Sequence, residues 1–357
     1  MKQQDAANSQ PTVLASLNAA LHRVMAADSR VIFLGEDVLD PYGGAFKVAQ
    51  GLSSRFPDRV FTTPISEAGI VGVGAGMALR GLRPVVEIMF GDFLTLAADQ
   101  LINHAAKFRW MYNDQVRVPL VVRTPMGGRR GYGPTHSQTL EKHFLGVPGL
   151  RVVAPSACGD PGALLEKLIL EGEDPVLFIE NKLLYALPLL SSNDADFELS
   201  THWETTSQKQ QGNISPLYYK PPHPTYSLSI RGAPPARLIL AAYGYMAELA
   251  RQAALNLAYE KEIFVEIIVP TQLSPFDSQV LLEAARRTGK LLILEEGSLT
   301  GGWGAEVAAR LTEASGTARV TIRRLAALDL PIPASSALEK VVLPDVGAIL
   351  HAVVSLL

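Results

Sequence analysis

The chain has 357 residues, 48% of them in the hydrophobic class and 19% charged, enough apolar material for more than one core. Its 32 Lys and Arg against 35 Asp and Glu leave a formal net charge of −3 and no long basic run, which excludes the electrostatic footprint of nucleic-acid or membrane-surface binding. Cys158 is the only cysteine, so an internal disulfide and a cysteine-built zinc site are excluded too, and a cytoplasmic setting is the expectation.

Residues 1–11 read MKQQDAANSQP, with neither the apolar stretch of a secretory signal nor an Arg-rich amphipathic pattern, and are expected to form a loose tail. No apolar run approaches the roughly 20 residues needed to cross a bilayer. Over residues 12–187, β-branched runs at Arg30–Leu34, Val85–Met89, Val118–Arg123, Arg151–Ala154 and Val176–Glu180 alternate with segments of helical period. That alternation predicts an α/β domain, an open and mostly parallel sheet with helices on both faces. From Pro188 the pattern lapses: residues 188–235 are rich in Ser, Thr, Asn, Gln and Pro and read as a polar linker or surface insert. Over 236–357 it resumes, with strands expected at Arg237–Ala242, Phe264–Val269, Leu291–Glu295 and Val320–Arg324. Helices are expected between them near Ala247–Tyr259, Ser278–Arg287 and Gly304–Ala314, giving a second, smaller open-sheet α/β domain.

Three segments concentrate residues capable of chemistry. In the first, Glu67 opens a helix over Glu67–Leu79 that contains Gly69, Gly72, Gly74 and Gly76. Each internal glycine costs about 1 kcal/mol of helix propensity, so close packing against another backbone, a ligand or a subunit is expected to compensate. Spacing alone makes Glu67 an ordinary first-turn acid, favoured by the helix dipole. The second segment, GGRRGYGPTHSQTLE at Gly127–Glu141, follows a strand and leads toward an expected helix. Loops at the carboxyl ends of parallel strands are where ligands bind in open α/β sheets. His136, outside any apolar periodic stretch, is expected to be accessible and has the ionisation range to move protons. The third, EEGSLTGGWGAEVAA at Glu295–Ala309, is a glycine-rich strand-to-helix turn. Gly301, Gly302 and Gly304 miss the G-x-G-x-x-G spacing, so tight packing is favoured over a dinucleotide. No phosphate-binding G-x-x-x-x-G-K-[ST] loop, HExxH helix or G-x-S-x-G elbow occurs.

Taken in order, LGEDV (34–38), TPISEAG (63–69), GLRPVVE (81–87), DQLINHAAK (99–107), HSQ (136–138), PGLRVVAPS (148–156), DPVLFIEN (174–181), LSPFD (273–277), EEG (295–297), TGGWGAE (300–306) and DLPIP (329–333) span almost the whole chain. Together they resemble the beta subunits of heterotetrameric 2-oxo-acid dehydrogenases of the pyruvate, branched-chain and acetoin types, within the transketolase-like superfamily. The resemblance implies a pyrimidine-binding domain followed by a transketolase C-terminal-like domain. It implies that Glu67 bonds the aminopyrimidine ring of thiamine diphosphate and favours the imino tautomer that deprotonates the thiazolium carbon. Phe93 corresponds to the aromatic stacked on that ring, Met89 to a residue lining it, and Glu36 to the acid of the GED motif at the pyrimidine end. His136 corresponds to a histidine at the site mouth, serving substrate binding and proton transfer.

The Gly-Asp-Gly segment and later Asn that hold magnesium in this superfamily are missing; Gly91-Asp92-Phe93 lies in the pyrimidine motif instead. No metal ligand is therefore assigned to this chain. The resemblance gives that half of the site, with its Mg2+, to an alpha subunit in an assembly of two alpha and two beta chains. It implies decarboxylation of a 2-oxo acid and transfer of the acyl group to the lipoyl group of a dihydrolipoamide acyltransferase. A carboligase or acetoin-cleaving enzyme with the same cofactor is the alternative, and a non-catalytic scaffold for an alpha partner is the alternative of a different class. Glu67, Phe93 and His136 occurring together argue against the scaffold. The adjacent Arg129 and Arg130 could meet a carboxylate, a diphosphate or water, and solvated loop charge is the expectation; an insert at 188–224 longer than the family's usual connection departs from the pattern.

Overall fold

The β-branched runs become the inner strands of two sheets in the computed structural model, which describes residues 10–203, 223–317 and 319–357. In chain order the strands are β1 (Val31–Gly35), β2 (Val60–Thr62), β3 (Arg83–Glu87), β4 (Val121–Met126), β5 (Arg151–Val153), β6 (Val176–Asn181), β7 (Phe197–Trp203), β8 (Pro224–Ile230), β9 (Leu238–Ala242), β10 (Val265–Pro270), β11 (Gln272–Ser274), β12 (Lys290–Ser298) and β13 (Thr321–Ala327). The helices are α1 (Val13–Ala27), α2 (Leu52–Arg55), α3 (Glu67–Leu79), α4 (Leu94–Asp99), α5 (Ala106–Met111), α6 (Pro161–Glu171), α7 (Tyr245–Lys261), α8 (Gln279–Thr288), α9 (Trp303–Ser315), α10 (Ser336–Val342) and α11 (Val346–Leu356). A π-helical turn over Gln100–Ala105 joins α4 to α5. No helix among the described residues is long and apolar enough to cross a membrane.

The first sheet has the order β11-β5-β6-β4-β3-β1-β2 and the second β13-β12-β9-β10-β8-β7. Pairing is parallel through the centre of each, with antiparallel pairs toward one side: β11 against β5 in the first, and β8 against β10 and β7 against β8 in the second. Strand alternation sorts the side chains between two layers. Val31, Phe33, Val85, Val121 and Phe178 pack with α1 and α6. Ile32, Leu34, Val86, Val122 and Leu177 pack with α3, α4 and α5. That second cluster continues without a break into Ile239, Ala241, Leu291, Ile293 and Trp303, so the two sheets share one apolar core.

The structure corrects three expectations. The span 188–235 is not a linker over its described part, because β7 and β8 form an antiparallel pair that completes the second sheet. In β8, Tyr226 and Leu228 turn into the core and Ile230 packs against it, while Thr225, Ser227 and Ser229 alternate with them. Residues 204–222 of that span, like residues 1–9 of the expected tail, lie outside the described residues. The Gly127–Glu141 loop does not lead into a helix; a single 3-10 turn over Glu141–His143 follows it. Nor is the second part of the chain confined to its own sheet, since β11 pairs with β5 of the first.

The glycines of α3 divide by face. A Cβ on Gly74 would stand 2.9 Å from Val86 Cγ2 and 3.1 Å from Leu120 Cδ1, so this glycine lets α3 lie against its own sheet. Gly76 is exposed and a Cβ there would meet nothing within 4 Å. In the turn before α9, a Cβ on Gly302 would stand 2.4 Å from Glu295 Oε2, whose carboxylate accepts the Gly304 amide at 3.2 Å. The Gly301–Gly304 turn thus encloses a carboxylate of its own chain rather than opening onto a pyrophosphate.

Gly74→Val is therefore expected to destabilise the isolated chain by about 1–3 kcal/mol through overpacking. Gly76→Ala is expected to stabilise it by up to about 1 kcal/mol through helix propensity. Urea unfolding of both variants checks the contrast; equal effects would mean that α3 does not pack as described.

Candidate active site

The parallel pairing aligns the carboxyl ends of four adjacent strands, and every residue singled out from the sequence leaves from that edge. Glu36 follows β1, Glu67 follows the loop after β2, Met89 and Phe93 follow β3, and His136 lies in the loop after β4. The register Gly35↔Glu87↔Arg123 brings these strand ends level. A side chain on Gly91 would collide with Met126 Cγ, at 2.3 Å, so this glycine allows the segment after β3 to fold over the end of β4.

Glu67 occupies the first turn of α3 and is buried to 4% exposure, where the helix dipole favours a carboxylate. Glu36 is buried at 6%, and its Oε1 has no hydrogen-bond partner. Burial, then the charges of Glu67 and Asp37, push the Glu36 carboxyl above its ordinary value.

The second group is aromatic. The His136 ring lies edge-on to Phe90 at 4.9 Å and to Phe93 at 5.3 Å between centroids. Thr135 Oγ1 pairs with His136 Nδ1 at 3.0 Å, leaving Nε2 without a partner among the described residues. Lys182, fully buried, donates from Nζ to the His136 carbonyl at 2.5 Å and sits 5.2 Å from the centroids of both Phe90 and Tyr132. Burial lowers its pKa to about 8, against the pull of the Asp92 charge. Asp92 Oδ1 accepts from the Gln138 backbone N at 3.1 Å and from Gln138 Nε2 at 2.9 Å, while its buried Oδ2 has no partner.

Beneath both groups Arg123, on β4, is fully buried between Glu87 on β3 and Glu180 on β6. Its Nη1 pairs with Glu87, while Nε and Nη2 meet Glu180 at 2.9 and 2.5 Å. Tyr185 donates to Glu180 Oε2 at 2.5 Å. Burial opposes the guanidinium charge, but the two carboxylates outweigh it and keep Arg123 firmly protonated. Burial raises the Glu87 carboxyl, and Arg123 pulls it back.

The five residues named from the sequence thus share one strand edge, with Phe93 and His136 in ring contact and the charge of Glu67 felt at the Glu36 carboxyl. Sequence reasoning missed Phe90, Tyr132, Asp92 and Lys182. Asp92 and Phe90 flank the Gly91 that was noted, and a lysine directly after an apolar strand was the available signal for Lys182. Arg129 and Arg130, indistinguishable in sequence, have different fates: Arg129 turns inward to Glu296 and Pro344, while Arg130 lies over the Phe46 ring. Among the described residues, no group of three or more His, Cys, Asp or Glu could hold a metal ion.

Comparison with known proteins adds the following. Residues 9–188 match the "Transketolase, pyrimidine binding domain" family and residues 233–349 the "Transketolase, C-terminal domain" family. The chain is 35% identical to the pyruvate dehydrogenase E1 component subunit beta-1, mitochondrial, of Oryza sativa subsp. japonica, covering 97% of this chain and 87% of that one. It is 36% identical to the 2-oxoisovalerate dehydrogenase subunit beta of Pseudomonas aeruginosa, over 90% of this chain and 88% of that one. It is 32% identical to the acetoin:2,6-dichlorophenolindophenol oxidoreductase subunit beta of Cupriavidus necator, over 94% of each. Among solved structures it superposes on a split-gene transketolase, described as an inactive beta4 tetramer, with a TM-score of 0.71. That match has 20% identity and covers 97% and 98% of the two chains, a likeness of fold.

Two outcomes follow from the geometry. Arg123→Met strands Glu87 and Glu180 without a countercharge and is expected to cost about 3–5 kcal/mol by urea unfolding. A carboxyl raised above its unfolded value binds its proton more tightly when folded, so its contribution to stability is complete at acid pH and is lost as pH rises through the shifted range. Glu36→Gln should accordingly raise the melting temperature at neutral pH and leave it unchanged well below the carboxylate range. Thermal melts of both proteins across pH check this; an equal gain at every pH would show that the Glu36 charge is not the cause.

Proposed function

This chain belongs to the beta subunits of the 2-oxo-acid dehydrogenases, in the transketolase-like superfamily, and we propose that Glu36, Glu67, Met89, Phe93 and His136 are its share of a thiamine-diphosphate site. The observation that carries this reading is the Glu36–Glu67 pair: a buried acid at the head of α3 beside another buried acid with an unpartnered oxygen. A ring nitrogen that must be hydrogen-bonded by a carboxyl fits such a place, and the half-buried Phe93, which follows the neighbouring strand β3, offers an apolar ring.

When bound, the cofactor supplies a thiazolium carbon that adds to a 2-oxo carbon and takes up the electron pair released with carbon dioxide. The protein's part is proton management and positioning. Glu67 holds a proton at the pyrimidine ring nitrogen, and Glu36, itself pushed toward the protonated form, limits the negative charge there. Met89 and Phe93 supply the apolar wall that keeps water from the ring. His136 moves a proton through Nε2, its ring held at Nδ1 by Thr135 and its carbonyl by Lys182.

Nothing in this chain provides the Gly-Asp-Gly and Asn pair for the diphosphate and its Mg2+, so we assign that half to an alpha subunit in an assembly of two alpha and two beta chains. Ile65 at 83% exposure, Val73 at 55% and Leu96 at 58% lie on and beside α3 and α4, an apolar surface suited to such a partner. The acyl unit passes to the lipoyl group of an acyltransferase. A second reading, acetoin cleavage, has the similarity to the Cupriavidus necator subunit in its favour.

Co-expression with an alpha subunit should give a complex that decarboxylates 2-oxo acids with thiamine diphosphate and Mg2+, followed with ferricyanide. Glu67→Gln and His136→Ala are each expected to lower kcat by about a hundredfold or more, in line with loss of a positioned acid or base. Turnover by the alpha subunit alone, or undiminished turnover in Glu67→Gln, would refute the reading.

A further inference from the structure

The loop that carries His136 follows an unusual backbone path. Gly127, Arg129, Gly131 and Gly133 all have positive φ, at 95°, 71°, 69° and 78°, and Arg129 adopts this conformation with a side chain. Such a path turns successive amides to one side, making a concave cradle suited to an anion. The anions that fill it come from the second domain. Glu339, on α10 and 3% exposed, accepts Arg129 N–H at 2.6 Å on Oε1 and Gly131 N–H at 3.2 Å on Oε2. Glu296, on β12, accepts Gly128 N–H at 2.8 Å. The Arg129 guanidinium reaches Glu296 at 3.4 Å and the Pro344 carbonyl, beyond α10, at 2.6 Å. A Cβ on Gly128 would lie 2.6 Å from Leu343 Cδ1, so the loop and the end of α10 are in close contact.

We propose that Glu339 is a positioning residue for His136, acting from the second domain through the backbone of the Gly127–Gln138 loop. Both of its carboxylate oxygens are engaged by the loop, and no contact joins it to the imidazole itself. The far end of the loop is fixed within the first domain, by Lys182 at the His136 carbonyl and by Asp92 at Gln138. The near end is fixed mainly by Glu339 and Glu296. The course by which the loop reaches the histidine therefore depends on how the second domain sits against the first. This gives the buried acid of α10 a task in the reaction, and the inference rests on the assignment of His136 made above.

Hydrogen exchange on the full chain tests it without turnover. In Glu339→Ala, amides of residues 127–138 should exchange about tenfold faster or more. Glu339→Gln, which keeps one acceptor, should fall between that variant and wild type. Lys340→Ala, exposed on the same helix, should exchange as wild type does. In the complex with an alpha subunit, Glu339→Ala should lower kcat by about tenfold or more while thiamine-diphosphate affinity is unchanged, the mark of a misplaced group rather than a lost ligand. Unchanged exchange at 127–138 in both Glu339 variants would overturn the proposal. So would faster exchange spread evenly over the second domain, or a loosened loop with kcat unaltered. Should the wild-type complex turn over no 2-oxo acid, the functional reading fails while the exchange data still decide whether Glu339 holds the loop.

Discussion

The site depends first on one buried cation. Arg123 sits at the centre of the first sheet and pairs with carboxylates on the strands to either side, tying β3, β4 and β6 together just before each delivers a segment to the site. Those segments are Met89–Phe93, the Gly127–Gln138 loop and Asn181–Lys182. A hydrophobic residue in place of the triad could pack as well or better, because burying charges is expensive. What the triad adds is direction: a planar guanidinium bonding through three nitrogens admits one relative placement of its two partners.

A second constraint lies above the first. The two sheets cannot be treated as separate modules, since a single apolar cluster runs through both and β11 crosses from the second part of the chain to the edge of the first sheet. The third glycine-rich segment belongs to this joining. Glu295 caps the start of α9 within its own glycine turn, and its neighbour Glu296 reaches the loop of the first domain. Successive residues of a strand face opposite ways, so one acid serves the second domain and the next serves the site.

Much of this was legible in the sequence, for definable reasons. The inner parallel strands are buried on both faces and read as continuous β-branched runs, which is why their positions were found to within a few residues. Helix α3 was found from Glu67 to Leu79 despite its glycines, because its apolar content and the acid in its first turn are local signals. The antiparallel strands β7 and β8 were not found: their Ser, Thr and His resemble a solvated loop, and only pairing with each other and of β8 with β10 makes them part of a sheet. Lys182 was missed for a related reason, since a lysine is ordinarily solvated and only the surrounding fold encloses it.

By itself, then, the sequence determined the class of fold, the succession of strands and helices, the family, and the residue types available for acid, base and aromatic work. Those properties follow from local periodicity and from the order of short motifs, which a chain carries whether folded or not. Tertiary structure alone decided which of those residues meet: that Glu36 and Glu67 share one poorly solvated place, that His136 stands between two phenylalanines over a buried lysine, and that Arg129 is structural while its neighbour Arg130 faces outward. The physical reason is that burial, desolvation and countercharge arise between segments distant in sequence, and none of them exists until the strands have set their register and the second domain has closed on the first.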